Sequence, residues 1–247
     1  MKLLSVILII ALIGFSSSCK NNKITPETAV SVHFIHEVDG NALELDTIKY
    51  TNAVGQNYSI KTVKYFVSHI TFHRANDEDI IEPDIHFVNI RDSSSLLLTL
   101  TNSIPSGDYT GISFVYGLVQ EDNISGNLGL ELDRLMEWPV PMGGGYHYMK
   151  LEGEYIFNNV TNFFNFHSGG LNGTAYEIHI DLPNSAFSTT SEAQNIGFTM
   201  NIANWFQNPV NWDFDYWGSG IMGNADAQAA VQQNGADVFT FVNLKTN

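Results

Sequence analysis

From Ser31 onward, apolar and polar positions alternate over short stretches, the period-two signature of half-buried strands. Val32-His33-Phe34-Ile35-His36-Glu37-Val38 ends at Asp39-Gly40, a strong turn pair. Residues 63–72 are rich in β-branched and aromatic side chains and stop near Asn76-Asp77. Further strands are predicted at 85–90, 111–118, 146–155, 176–182 and 196–202, and an aromatic strand closes at His167 before Gly169-Gly170. Only 225–233, rich in Ala and Gln, reads as a helix, stopped by Asn234-Gly235. The strands do not alternate with helices. The pattern predicts an all-β domain over 31–247: an antiparallel β-sandwich with long loops and one short C-terminal helix.

The start of the chain breaks this pattern. Met1-Lys2 precedes a run to Phe15 that is apolar but for Ser5, then Ser16-Ser17-Ser18-Cys19. A short basic start, an apolar stretch and small residues before a break describe a secretory signal, and the run is too short to span a bilayer. The Cys follows the small residues where a bacterial lipoprotein is lipidated, although Ser16 stands where Leu is usual. Residues 1–18 are therefore expected to be a lipoprotein signal peptide, Cys19 the lipidation site and 19–30 a flexible tether. Contact with the membrane would run through the lipid alone. The expected location is the cell envelope, on the periplasmic or surface side of the outer membrane.

Charge and composition then narrow the chemistry. A net charge of −15 lacks the basic footprint of a nucleic-acid binder. The single Cys excludes a Cys-rich zinc or iron–sulfur site and leaves eight His as the strong soft-to-borderline donors. His36 shares an apolar face with Phe34 and Val38. His147 alternates with Met149 and Leu151, and His167 closes its aromatic strand. These three are the candidate metal ligands, with Met149 a candidate soft contact. His33, His69, His73, His86 and His179 are assigned structural or surface roles. The segment Met136-Glu137-Trp138-Pro139-Val140-Pro141-Met142-Gly143-Gly144-Gly145 is stiffened by two prolines and ends in three residues free to take positive φ. No phosphate loop, nucleophile elbow, zinc-protease helix or EF-hand loop occurs, so no enzyme is expected. An alternative function rests on residues 204–217, where Trp205, Trp212 and Trp217 gather with Tyr216 and two Asp. Such a group could serve a non-catalytic surface sandwich that binds glycans or proteins.

Several of these segments together resemble the MbnP-like copper-binding family, in the form common among Bacteroidota lipoproteins. They are His33–Gly40, Tyr50–Gly55, Val63–Ile70, Met136–Pro139, Gly143–Gly153, Phe166–Gly169, Asn201–Phe206 and Asn234–Phe239. The resemblance spans nearly the whole mature domain. It implies a β-sandwich that binds copper through imidazoles, joined by a Trp oxidised to kynurenine by a dihaem peroxidase partner. Trp138 stands at the position of that Trp, and His167 at one His. The chain departs from the pattern at Pro139 and Pro141, and in carrying His147 where relatives have an aromatic or aliphatic residue. The expectation is a lipid-anchored copper-binding protein for storage, acquisition or delivery, with His36, His147, His167 and Trp138 at the metal.

Overall fold

In the computed structural model the described residues are 26–75 and 77–244. The expected signal peptide and Cys19 lie outside them. The longer strands are β1 (Val30–Val38), β2 (Asn57–Arg74), β3 (His86–Asn89), β4 (Asp108–Tyr116), β5 (His147–Phe157), β6 (Val160–Gly169), β7 (Ile178–Asp181), β8 (Gln194–Asn201) and β9 (Phe239–Leu244). All but β9 fall where alternation placed a strand; β9 carries no expectation from the sequence, and β2 runs longer than 63–72. The folded part begins earlier than Ser31, however, because Glu27–Thr28 pairs with Ile104–Pro105 and Val30 is already in the core.

Two sheets form an all-β sandwich. One has nine strands, with the central order β6-β5-β2-β4-β7; the other has five, with β9-β8-β1 at its centre. Pairing is antiparallel except between β1 and β8, which run parallel over Val30–Glu37 and Gln194–Asn201. Even-numbered residues of β1 point between the sheets, so Phe34 meets Tyr65 of β2 and Phe198 of β8. Phe114 of β4 stacks on Phe198 at 5.1 Å. This aromatic interior carries the fold's apolar burial without any disulfide, each large ring contributing about 1.5–3 kcal/mol of transfer free energy.

Among the described residues, three short α-helices decorate the sandwich: α1 (Leu130–Met136), α2 (Phe214–Trp217) and α3 (Ala225–Asn234). Only α3 had a sequence signal. Asn224 caps it by accepting from the Ala227 amide. Gln228 on α3 ties the free edge of β6: it donates to the His167 carbonyl at 2.8 Å and accepts from the Gly169 amide at 3.2 Å. α1 belongs to the 117–146 excursion between β4 and β5, which covers the outer face of the nine-stranded sheet. Among the described residues, no helix is long and apolar enough to cross a membrane.

Candidate metal centre

The site is built on β5 and β6 at one edge of the large sheet. Their register is regular from Phe157↔Val160 back to Met149↔Ser168, then slips so that His147 lies opposite Gly169. A bulge of this kind inserts one residue and reverses the facing of what lies beyond it. Met149 and Leu151 join the core between the sheets. His147 instead turns to the outer face, towards His167. Strict alternation had placed His147 with Met149 and Leu151; the bulge overturns that assignment. The two imidazoles now meet edge to face, with ring centres 5.0 Å apart.

The 138–145 loop closes over them. Glu137 bridges to Tyr146, and the Trp138 amide donates to the Gly145 carbonyl at 2.8 Å, so the two ends of the loop meet just before β5. Gly143, Gly144 and Gly145 all have positive φ (128°, 72° and 83°), which a side chain at these positions would oppose. Trp138 is fully buried, with its ring 4.8 Å from that of His147. It rests on Gly169, where a Cβ would come within 2.7 Å of the indole. The loop is a lid, and its ring closes the site from above.

Each imidazole is held by one nitrogen and free at the other. His147 Nδ1–H donates to the Met136 carbonyl at 3.0 Å, at the end of α1. His167 Nε2–H donates to Glu152 Oε1 at 2.9 Å. These bonds fix the tautomers and leave a lone pair on His147 Nε2 and another on His167 Nδ1. Both atoms are buried without a hydrogen-bond partner, as is Trp138 Nε1. Native proteins rarely leave such groups unpaired, and each orphan costs about 1–3 kcal/mol. Three of them around one lid mark a place built for something else to bind. Burial, with a smaller contribution from the charge of Lys150, lowers the His147 pKa to about 3, so its ring is neutral. The hydrogen bond from His167 is the largest of the effects that lower the Glu152 carboxyl to about 2. Glu152 is therefore an anion that orients His167, the arrangement by which metal-binding imidazoles are commonly held.

His36 does not join them. It points between the sheets, where its Nε2 lies 3.0 Å from the Tyr65 hydroxyl. Tyr65 is the register partner of Met149 and shares the inner face, so the thickness of the large sheet separates His36 from the pair on the outer face. Among the described residues, no three His, Cys, Asp or Glu side chains converge on one metal position. The three-imidazole set expected from alternation thus becomes two imidazoles and an indole. Met149 packs in the core and not at the site. In the aromatic segment at 204–217, Trp205 and Trp212 are buried and Trp217 stacks on Trp212 at 4.9 Å, which leaves Tyr216 as its exposed ring.

Sequence reasoning missed two parts of the site, the Met136 carbonyl and Glu152. Glu152 reads as one of a solvated acidic pair with Glu154. Only the β5–β6 register shows that Glu152 and His167 share a face.

No curated protein matches the sequence. The structure is similar to that of MbnP from Methylosinus trichosporium, with a TM-score of 0.57 and 11% identity over 88% of this chain and 99% of that chain. At that identity the likeness speaks for the fold. The sequence profile of the MbnP family matches residues 27–222, from the first short strand past the β5–β6 site. On that match, which covers the larger part of its length, the chain belongs to the MbnP family.

Proposed function

We propose that this protein holds copper between His147 and His167 beneath the Trp138 lid, as a lipid-anchored component of the cell envelope. The observation that carries the reading is the pair of buried, unpartnered lone pairs on His147 Nε2 and His167 Nδ1. Neutral imidazoles suit copper, and Cu(II) binds nitrogen sites more tightly than other divalent first-row metals do. The donor set fits: both rings are held by their other nitrogens, which leaves Nε2 of His147 and Nδ1 of His167 for the metal. Copper so held supplies a redox-active cation that can be stored or handed on, and holding it requires no turnover by the protein.

Trp138 as encoded offers only an N–H donor and has no lone pair for a metal. It walls the site in this form. Oxidation to kynurenine by a dihaem peroxidase partner, as in the family, would convert the wall into a third ligand. Anchoring through lipid on Cys19 would keep the domain at the membrane surface, most simply the outer membrane.

Copper uptake under competitive chelation tests the site. Wild-type protein is expected to retain stoichiometric copper, and His147→Ala combined with His167→Ala to retain none. Undiminished uptake in the double variant would overturn the assignment. A peptide mass across residues 136–145, taken with and without a dihaem peroxidase, tests the modification of Trp138 separately.

A further inference from the structure

A second constellation lies on the same outer face, over β2 and β4 and away from the β5–β6 edge. Antiparallel pairing sets His73 opposite Gly111 and Ser113 opposite Thr71, so His73 and Ser113 are diagonal neighbours. Ser113 Oγ lies 2.8 Å from His73 Nε2. His73 Nδ1 lies 2.8 Å from Asp79 Oδ2. Asp79 is itself held, its Oδ1 accepting the Arg74 amide at 3.2 Å. His73 Nδ1–H donates to the Asp79 carboxylate, so the Nε2 lone pair faces the serine hydroxyl. Ser113 also lines a cavity of about 240 Å³ shared with His69, Thr71, Val115, Val119 and His179.

We propose that Ser113 is an activated nucleophile that takes the acyl group of a small ester from this cavity. A hydroxyl, a base within hydrogen-bond reach and a carboxylate orienting that base are the parts such a step needs. Ser113 Oγ adds to the ester carbonyl carbon, and its proton passes to His73 Nε2. The tetrahedral adduct then expels the alkoxide, which leaves as the alcohol by taking that proton. Water, deprotonated by the same nitrogen, adds to the acyl-serine; the acid departs and the serine regains its proton. No oxidant or reductant enters. His69 and His179 line the cavity and can donate to the oxyanion; Asp181, the register partner of Ser113, lines it as well. Asp79 acts through His73 and is a positioning residue. His73 and Asp79 are 35% and 44% exposed, so an ester reaches the site without any movement of the lid over the copper site.

The proposal is independent of copper. The full chain is treated with a fluorophosphonate, which phosphonylates activated serines with loss of fluoride, and the adduct is mapped by peptide mass. The expected result is one dominant adduct at Ser113, unchanged in the variant carrying His147→Ala and His167→Ala. His73→Gln should slow labelling by at least ~10²-fold, the usual contribution of a general base. Asp79→Ala should also slow it, and Asp79→Glu restore it, with thermal melts verifying that each variant is folded. Labelling at Ser113 no faster than at other exposed serines, or equal rates in wild type and folded His73→Gln, would overturn the proposal. Mapping on the wild type decides the point even if a variant fails to fold.

Discussion

The molecule buries imidazoles on both faces of its large sheet, and the two faces treat them differently. Against the inner face, His36 of the five-stranded sheet packs edge to face on Tyr65 and is bonded to its hydroxyl. On the outer face, His147 and His167 are enclosed as well, yet each keeps one ring nitrogen without a partner. Burial lowers the pKa of His36 to about 4 and of His147 to about 3, so both are neutral and neither titration distinguishes them. What separates a core histidine from a candidate ligand here is hydrogen-bond satisfaction. The inner face contributes to stability, and the outer face retains an unmet demand for a partner.

Exchanging the two kinds of histidine should break this comparison most sharply. His36→Gln is expected to take up copper at wild-type stoichiometry, whereas the variant lacking both His147 and His167 takes up none. Copper should also raise the stability of wild type and His36→Gln, by about 2.7 kcal/mol at a free concentration one hundred times Kd. The double variant should show no such rise in a thermal melt. Loss of copper in a folded His36→Gln would erase the distinction drawn between the two faces.

Acid should act next most strongly, and on both faces. The folded-state pKa of His36, about 4, lies below its ordinary value of 6.5. Between those values the unfolded chain binds a proton that the folded chain refuses. Its contribution is therefore complete above pH 6.5 and is lost as pH falls towards 4, on the order of 3 kcal/mol in total. His147 adds a loss of the same sign that continues towards pH 3. Urea denaturation at pH 7 and pH 4.5, compared between wild type and His36→Gln, isolates the His36 part. The variant is expected to lose less stability on acidification.

The sandwich was legible because its strands obey simple alternation. Phe34, His36 and Val38 share a face in the sequence, and they do so in the fold. The site was half legible, since it depends on the places where alternation fails. One inserted residue between His147 and Met149 carries His147 through the sheet, and no local signal announces such a slip. α1 carries no helix signal in the sequence because LELDRLM is short and leaves Leu130 in solvent, so its apolar spacing is too brief to register as a helix. The parallel pairing of β1 with β8 joins residues more than 160 positions apart and was likewise invisible. The three glycines, in contrast, were informative, because their need for positive φ is a property of the residue itself.

Packing under the lid gives a smaller and more local test. Gly169→Ala would drive a methyl group to within 2.7 Å of the Trp138 indole, a rigid ring with no room to withdraw. Overpacking of this kind costs about 1–3 kcal/mol. The variant should melt lower and bind copper more weakly, because displacing Trp138 opens the lid above His147. A Gly170→Ala variant is the control: its Cβ meets its nearest neighbours at 3.6 Å, an ordinary contact, and copper binding should be little changed.

The smallest effect is expected at Glu152, and it sharpens the comparison most finely. Glu152→Gln keeps the shape of the side chain and an acceptor oxygen for His167 Nε2–H, but removes the charge that makes this bond strong. Carboxylates behind metal-bound imidazoles contribute about 10–100-fold to affinity. Glu152 is 34% exposed, and solvent screening places the expected loss near the lower end, about tenfold or 1.4 kcal/mol. The stoichiometry should remain that of wild type, measured by titration against a chelator of graded strength. If His167 were merely a structural residue paired with a surface acid, the substitution would alter the melting temperature and leave copper affinity where it was.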